Sequence, residues 1–144
     1  MTPIASLSPI GTITAKLGNQ IELGEGPKGT RLISDVVSLK LTSEKINATL
    51  AGNDAADWLT ISENGKLGSL DVRFTLVTED GAFIYVEYSG RANMESGLIA
   101  TAPTFQTSHI KYLWLNRIQA VAAGQINDQG ELVYSLYQVN VSTN

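Results

Sequence analysis

The sequence contains no cysteine, a single histidine and no apolar run long enough to span a bilayer. The absence of cysteine excludes disulfides, thiolate nucleophiles and zinc sites built on sulfur. The lone His109 has no spaced partner for a histidine-rich metal site and no serine elbow beside it for a Ser-His-Asp triad, so we expect it in a loop. We therefore predict that the protein uses no metal and no cofactor.

Charge is also scarce, because charged residues make up 17% of the chain and hydrophobic residues 43%. The 10 Lys and Arg are scattered and are outnumbered by 14 Asp and Glu, for a net charge of -4. A weakly acidic chain without a basic cluster is not expected to bind nucleic acid or an anionic membrane. The large apolar fraction needs cover in a core, a pocket or a subunit interface, so we expect a homo-oligomer, a dimer or higher.

The start of the chain lacks the pattern of a secretory signal and contains a glycine spacing that only superficially matches a nucleotide-binding motif. Residues 1–17 have no basic segment followed by an apolar region, which is the pattern of a secretory signal, so we expect a cytoplasmic protein. The glycines at positions 24, 26 and 29 fit the GxGxxG spacing of dinucleotide-binding folds, but that motif requires a helix directly after it. Residues 30–37 are instead rich in β-branched side chains, which predicts a glycine-rich loop between strands.

Alternating segments separated by Gly, Asn and Asp turns predict an all-β fold, and no stretch shows a persuasive helical stripe. The Ala-rich middle of residues 109–125 could pass for helix, but its first part alternates strictly, which favours strand throughout. About eight antiparallel strands with short turns and little or no helix form a sandwich or a closed up-and-down barrel, and tight neighbour-to-neighbour turns favour the barrel. We predict one domain, residues 1–144, with strands at 4–17, 20–23, 32–41, 45–51, 57–61, 70–78, 82–91, 98–107, 109–125 and 131–141.

Residues 70–91 form the clearest β-hairpin, with its turn at residues 79–81, and two registers are possible. A two-residue turn mixes polar and apolar side chains on both faces. A three-residue turn with Gly81 in the left-handed conformation of a G1 bulge separates them, because one residue of shift moves a whole strand to the other face. The polar face then holds Asp71, Arg73, Thr75, Tyr85 and Glu87, and the apolar face holds Val72, Phe74, Leu76, Ile84, Val86 and Tyr88.

The pattern alone leaves open which face points into the barrel. With the apolar face inside, Arg73 and Glu87 form a surface pair that contributes under about 1 kcal/mol. With the polar face inside, Arg73 must be paired or must hold an anionic ligand, because an isolated buried charge is very costly. Residues 112–117 pose the same question, since Tyr112, Trp114 and Asn116 would project to one side of a strand and suit a small ring-bearing molecule as well as a structural aromatic cluster.

The ordered set of Asp57-Trp58, LDVR at 70–73, EDGAFIYVEYSGR at 79–91, FQTS at 105–108 and YLWLN at 112–116 resembles the family called domain of unknown function 3237. The resemblance implies an oligomeric antiparallel β-barrel with no assigned cofactor and no generally established activity. The family's recurring polar and aromatic positions correspond here to Asp71, Arg73, Tyr85, Tyr112, Trp114 and Asn116. This correspondence favours the polar face inside. The loops differ from the family, since residues 53–56 are poorer in glycine and residues 91–97 are short, which leaves the ligand open.

We therefore predict a barrel that binds a small organic molecule bearing a carboxylate, an enol or a ring. Arg73 would hold the substrate oxygen, Trp58, Phe105 and Trp114 would form apolar walls, and Asn116 would add a polar contact. A cofactor-free isomerase, cyclase or lyase would use Asp71 or Glu87 as base and Tyr85 or Tyr112 as acid. The alternatives are a binding protein that uses the same cavity without catalysis, and a structural oligomer with its apolar face inside and no cavity.

Overall fold

The computed structural model describes residues 1–143 and contains ten strands and one short 3₁₀ helix, Ile110–Arg117. No helix within these residues is long and apolar enough to cross a membrane. The strands are β1 (Pro3–Gly26), β2 (Gly29–Thr42), β3 (Asn47–Leu50), β4 (Ala56–Ser62), β5 (Leu67–Thr78), β6 (Phe83–Asn93), β7 (Leu98–Thr101), β8 (Thr104–Gln106), β9 (Ala120–Ile126) and β10 (Glu131–Thr143).

The strand pairings close into a ring. β3 and β4 occupy one position between β2 and β5, and β7 and β8 occupy one position beside β6. β7 pairs with β9, β9 with β10, and β10 returns to pair with β1, which pairs with β2. Every pairing is antiparallel and joins sequence neighbours around the ring, which confirms the predicted all-β, up-and-down architecture.

The hairpin of β5 and β6 has the predicted three-residue turn. Arg73 lies opposite Glu87, and Gly81 has a φ of 84°, the left-handed conformation that a G1 bulge requires. The Thr78 backbone N–H donates to the Ala82 carbonyl at 2.9 Å, which closes the turn. The register inferred from side-chain segregation is therefore confirmed.

The orientation of this hairpin is the reverse of the one that the family resemblance favoured. Phe74, Leu76 and Ile84 are almost completely buried inside the barrel, whereas Asp71 and Arg73 are exposed on its outer face. An eight-stranded barrel has an interior only wide enough for side chains to fill, so charged groups placed there would lose their hydration with little room for compensation. The prediction of an inward polar face was wrong for this reason.

Residues 109–125 are also not one strand, because the chain forms a 3₁₀ helix before β9 begins at Ala120. The Asn116 amide both donates to the Thr107 carbonyl, at 2.8 Å, and accepts from the Thr107 backbone N–H, at 2.9 Å, so it folds the segment back on itself. Tyr112 and Leu115, three residues apart, turn inward together because a 3₁₀ helix has three residues per turn. The prediction that Tyr112, Trp114 and Asn116 share a strand face was therefore wrong.

The 3₁₀ helix closes one end of the barrel. The Tyr112 hydroxyl donates to Asp80 Oδ1 at 3.0 Å, and Lys111 Nζ lies 3.4 Å from Asp80 Oδ2, which ties the helix to the turn between β5 and β6. Hydrogen bonds from Thr78 and Tyr112 hold the pKa of the Asp80 carboxyl below its usual range. The opposite end, formed by the turns at residues 27–28, 63–66, 94–97 and 127–130, carries no such helix.

We expect Leu115→Ala to destabilise the protein by about 2 to 5 kcal/mol, because Leu115 is fully buried and its removal leaves a void beneath the helix. Urea unfolding followed by circular dichroism measures the change. Ile110→Ala on the same helix is the matched control, since Ile110 is 85% exposed and its loss should change stability by less than about 0.5 kcal/mol. Equal effects of the two substitutions would contradict the role of the helix as a packed plug.

Candidate functional site

The barrel interior contains a cavity of about 120 Å³ on the side away from the helix. Its walls are mainly aliphatic side chains from β2, β4, β5, β7 and β10, including Leu32, Leu59, Leu70, Ile99 and Leu132. An apolar cavity of roughly 150 Å³ accommodates a benzene-sized molecule, so this smaller one has room for at most a single small ring without a shift of its walls. The cavity is thus a built, largely apolar pocket rather than an unfilled seam between strands.

Polar groups lie at one level of the cavity wall. Ser34 of β2 pairs with Asp57 of β4, Asp57 pairs with Val72 of β5, and Val72 pairs with Tyr88 of β6. Directly opposed residues on antiparallel strands have neighbouring side chains on the same face. The three polar side chains therefore share one layer of the barrel, and Tyr134 of β10 joins them in lining the cavity.

Asp57 has a strongly perturbed acidity. The pKa of its carboxyl is raised from 3.8 to about 6, chiefly by burial and also by the nearby charge of Asp71. A hydrogen bond that the Asp71 backbone N–H donates to Oδ1 at 3.1 Å and the charge of Arg31 oppose this rise. A carboxyl with a pKa near 6 is ionised at neutral pH and can still take up a proton during a reaction. Asp57 therefore has the acidity expected of a general base.

Tyr134 and Tyr88 place phenol groups beside this carboxyl. Their rings meet edge to face, with centroids 6.0 Å apart. Burial raises the pKa of Tyr134 to about 12 and raises the pKa of Tyr88 well above 10. The interaction between the two hydroxyls raises the pKa of Tyr88 further and opposes the rise at Tyr134, and the charge of Asp57 contributes to the rise of both. Both phenols are therefore neutral and able to donate a proton at physiological pH.

The Tyr134 hydroxyl is buried and makes no well-aligned hydrogen bond among residues 1–143, although the Tyr88 hydroxyl lies close enough to influence its pKa, and Tyr134 as a whole is 3% exposed. A buried hydroxyl in this state costs about 1 to 3 kcal/mol of stability. Such a group deserves a physical explanation, and a ligand oxygen in the cavity would supply its missing partner. The hydroxyl is thus the strongest single indication that the cavity is a binding site.

The structure groups several of the predicted site residues, but on the outside of the barrel. Arg73 stacks its guanidinium over Trp58, with Cζ 4.4 Å from the ring centroid, and the Tyr85 hydroxyl donates to Glu87 Oε2 at 3.2 Å. Within residues 1–143 the only ion pair is the one between Lys111 and Asp80, so Arg73 and Glu87 lie opposite each other without forming an ion pair. We call the five side chains the outer patch: Trp58, Asp71, Arg73, Tyr85 and Glu87.

The remaining predicted residues belong to the closed end and do not line the cavity. Phe105 is buried in the core, and Trp114 packs against that core while Lys45 Nζ lies 5.3 Å from its ring centroid. Tyr112 is buried on the inner side of the 3₁₀ helix, and Asn116 of the same helix holds the segment at Thr107 that precedes it. These residues stabilise the plug in this structure.

Sequence reasoning named Asp57 only as part of a family motif and did not predict Ser34, Tyr88 or Tyr134 as site residues. A usable signal existed, since Asp57, Leu59 and Ile61 alternate along a strand and a lone acid at an inward position is unusual. Tyr134 gave no such signal, because a tyrosine is common on either face of a strand. Within the described residues no cluster of His, Cys, Asp and Glu could hold a metal ion.

Asp57→Asn should stabilise the protein at high pH. The pKa of Asp57 is higher in the folded than in the unfolded state, so its contribution to stability is full below pH 3.8 and is lost as pH rises through about 6. A pKa difference of this size corresponds to about 3 kcal/mol in the free energy of unfolding. We therefore expect Asp57→Asn to raise the free energy of unfolding by nearly that amount at pH 8 and to change it little at pH 3.5. Urea unfolding at both pH values measures it.

The exposed Asp35→Asn is the control for this substitution, with an expected change below about 0.5 kcal/mol at both pH values. A gain for Asp57→Asn that is the same at pH 3.5 and pH 8 would contradict the raised pKa of the buried carboxyl.

Tyr134→Phe should leave stability unchanged or raise it by up to about 1 kcal/mol, because it removes a buried hydroxyl with no well-aligned hydrogen bond among residues 1–143. Tyr112→Phe is the matched control and should cost about 1 kcal/mol, since that hydroxyl donates to Asp80. Thermal unfolding of the two variants side by side measures the difference. A loss on Tyr134→Phe equal to that on Tyr112→Phe would show that the Tyr134 hydroxyl is already satisfied.

Known proteins that are similar to this chain in sequence or in structure support the β-barrel-like fold. A UPF0311 protein of Bradyrhizobium diazoefficiens is 30% identical over 131 residues, covering 80% of this chain and 84% of that protein. A β-barrel-like protein of Acinetobacter baumannii superimposes with a TM-score of 0.84 at 25% identity, over 97% of this chain and 99% of that one. A structure described as an enzyme from Penicillium herquei gives a TM-score of 0.73 at 22% identity, over 97% of both chains.

The family model for proteins of unknown function, DUF3237, matches residues 5–139. This match spans nearly the whole chain and confirms the resemblance seen in the ordered motifs. The chain therefore belongs to the DUF3237 family.

Proposed function

We propose that the protein binds a small organic molecule inside the barrel and transforms it by cofactor-free acid–base chemistry, as an isomerase, cyclase or lyase. The observation that carries the proposal is the presence, in one largely apolar cavity, of a partly buried carboxyl whose pKa is about 6 and a buried tyrosine hydroxyl with no well-aligned hydrogen bond among residues 1–143. Perturbed titratable groups that converge in a cleft are typical of active sites.

Asp57 would act as the base and accept a proton from a carbon or a hydroxyl of the substrate. The Tyr134 hydroxyl would donate a hydrogen bond to the substrate oxygen on which negative charge develops, and Tyr88 lies beside it as a second donor. Returning the proton from Asp57 to a different atom completes an isomerisation or ring closure, and delivering it to a departing group completes an elimination. No outside oxidant or reductant is needed in either case.

The cavity favours an uncharged substrate. Its walls are aliphatic and its ionisable acid is an anion above about pH 6, so a substrate carboxylate would meet like charge without a cation on the lining. A neutral molecule with an enolisable carbonyl or a hydroxyl avoids this repulsion and matches the volume of a single ring. This narrows the substrate to the enol or ring-bearing classes.

Two alternatives remain open to test. The first is a binding protein in which the same cavity holds a ligand without reaction. The second is catalysis at the outer patch, where Arg73 would hold an anionic oxygen of the substrate and Asp71, Tyr85 or Glu87 would transfer protons. The stacking of Arg73 on Trp58 and the hydrogen bond from Tyr85 to Glu87 support this alternative. The likeness to the Penicillium protein, which is described as an enzyme, concerns the fold alone and is consistent with the catalytic proposal.

Deuterium exchange into cyclohexanone, a neutral ring with enolisable protons, tests base catalysis directly. We expect the wild-type protein to accelerate loss of the α-proton NMR signal in D₂O at least tenfold over buffer. Asp57→Asn should abolish the acceleration, and Tyr134→Phe should remove most or all of it, because one donor to a developing oxyanion contributes about 10²- to 10³-fold to the rate. The exchange rate should rise with pH through about 6 as Asp57 ionises.

Ligand-observed NMR with p-cresol, a neutral ring-bearing molecule, measures binding to the protein independently of the deuterium-exchange reaction. Ala92→Leu fills the cavity without changing a polar group and should abolish binding and exchange together. Arg73→Ala and Tyr85→Phe alter only the outer patch and should leave both intact. Binding without exchange would support the non-catalytic alternative, and loss of function confined to the Arg73 and Tyr85 variants would move the site to the outer patch.

A further inference from the structure

Two exposed residues border the cavity of the barrel. Of the described residues that line it, Gln20 and Met94 are exposed, and the others are buried or half-buried. Gln20 lies in the part of β1 that leads to the turn at residues 27–28, and Met94 directly follows β6. Both therefore lie toward the end of the barrel that has no helix, and we expect a molecule to enter the cavity beside them.

The Met94 side chain packs in a niche above Gly68 of β5. Its Sδ lies 2.8 Å from the point that a Cβ on Gly68 would occupy. The Ala92 Cβ and the Leu59 Cδ1 lie 3.2 and 3.3 Å from the same point. A larger residue at position 68 would therefore displace the thioether of Met94 or crowd the barrel wall.

The backbone of Gly68 does not itself require glycine. Its φ is not in the left-handed region, and it lies within β5, where it pairs with Ile61 and Ala92. Glycine in the interior of a strand weakens the strand and often marks the close approach of another group. The group that approaches Gly68 is the Met94 thioether, so the glycine is explained by the space that it leaves for this side chain.

The backbone of Met94 is held in place, whereas its side chain is 39% exposed. The Met94 N–H donates to the Lys66 carbonyl at 2.9 Å. Asn93 Oδ1 accepts from the next two backbone N–H groups, those of Glu95 and Ser96, at 3.0 and 3.1 Å. A methionine side chain is unbranched and has three rotatable bonds, so it adapts to its surroundings easily. The thioether can therefore leave Gly68 without breaking these backbone hydrogen bonds.

We propose that Met94 is the gate of the cavity: its side chain, packed on Gly68, limits the size of the molecule that the cavity holds, and its rotation opens the entrance. The inference rests on the proposed function, since the molecule admitted would be the neutral ring-bearing substrate. With Met94 in place the cavity has room for at most a single small ring. A longer substituent on that ring extends toward the open end, where it meets Met94.

This role makes Met94 a specificity-determining residue and not a catalytic one. Its thioether is a weak acceptor that neither gives nor takes a proton, so it cannot share the acid–base chemistry of Asp57 and Tyr134. Met94 would instead select among neutral rings by the length of their substituents. The substrate class is thereby narrowed to rings that carry short substituents.

Ligand-observed NMR with p-cresol and 4-propylphenol tests the gate. The wild-type protein should bind 4-propylphenol about tenfold more weakly than p-cresol, because the longer chain must displace Met94. Met94→Ala removes this obstruction, so it should bind 4-propylphenol about tenfold more tightly than p-cresol, the gain expected from burying two more methylene groups. Met94→Leu, which conserves most of the side-chain volume, should retain the wild-type preference.

Leu98→Ala is the matched control for Met94→Ala. Leu98 is an apolar residue at the start of β7, is 55% exposed and does not line the cavity. Its truncation removes a similar amount of apolar surface from the same end of the barrel. The preference for p-cresol should therefore remain that of the wild-type protein.

Protein labelled with ¹³C in its methionine methyl groups locates the bound ring. The sequence contains two methionines, and Met1 is 90% exposed and lies away from the cavity lining. We expect p-cresol to shift the methyl signal of Met94 and to leave that of Met1 unchanged. Near-UV circular dichroism confirms that each variant keeps a folded barrel.

The outcomes separate the gate from the chemistry. A reversed preference in Met94→Ala without deuterium exchange into cyclohexanone supports the gate and overturns catalysis by Asp57. Exchange by the wild-type protein with an unchanged preference in Met94→Ala overturns the gate and leaves the proposed function intact. The gate is also overturned if Leu98→Ala reverses the preference equally, or if p-cresol leaves the Met94 methyl signal unshifted. Absence of binding by both phenols to the wild-type and Met94→Ala proteins overturns the gate and the proposed function together.

Discussion

Closure of a narrow ring of strands is the constraint on which the rest of the structure depends. Because β10 pairs with β1, the sheet has no free edge through the barrel body, and its inner face is removed from water. Every inward position must then be filled by an apolar side chain or by a polar group with a specific reason to be there. The segregation of β5 and β6 into a buried apolar face and an exposed charged face follows directly from this requirement.

Asp57 is the informative exception to that rule. Its carboxyl is buried among aliphatic residues at a cost that appears as a raised pKa, and the only hydrogen bond found for it among residues 1–143 comes from the Asp71 backbone. The buried hydroxyl of Tyr134, which makes no well-aligned hydrogen bond within the same residues, adds a second unfavourable group to the same cavity. Proteins retain such groups where function requires them, because most alternatives at these positions would be more stable. The proposed function accounts for both costs, because a shared ligand would interact with both groups.

The sequence was sufficient for the class of fold and for the register of the central hairpin, because period-two alternation and the glycine at the turn are local signals. It was insufficient for two features that depend on tertiary context. The orientation of Arg73 follows from the width of the closed ring, which no local pattern records. The 3₁₀ helix follows from the fold-back of Asn116 onto Thr107 and from burial of Leu115, which override the strand-like alternation of residues 112–117. For the same reasons the polar side chains of the outer patch were predicted correctly to share one face of the hairpin, but that face was predicted to point into the barrel and not out of it.

The two ends of the barrel are built differently, with a packed helix at one end and a cavity bordered by short turns at the other. At the helix end, Leu115 fills the interior, and the contacts of Asp80 with Tyr112 and Lys111 hold the helix in place. Because the cavity lies on the side away from the helix, a rigid helix end does not obstruct entry to the cavity. At the other end the cavity is bordered by Met94, which is 39% exposed, and by residues next to short turns. Turns tolerate changes in length and composition far better than a packed plug does. Under the proposed function, differences in the turns at the open end would alter which molecule enters, while Asp57 and Tyr134, held on strands, would keep their positions on the cavity wall.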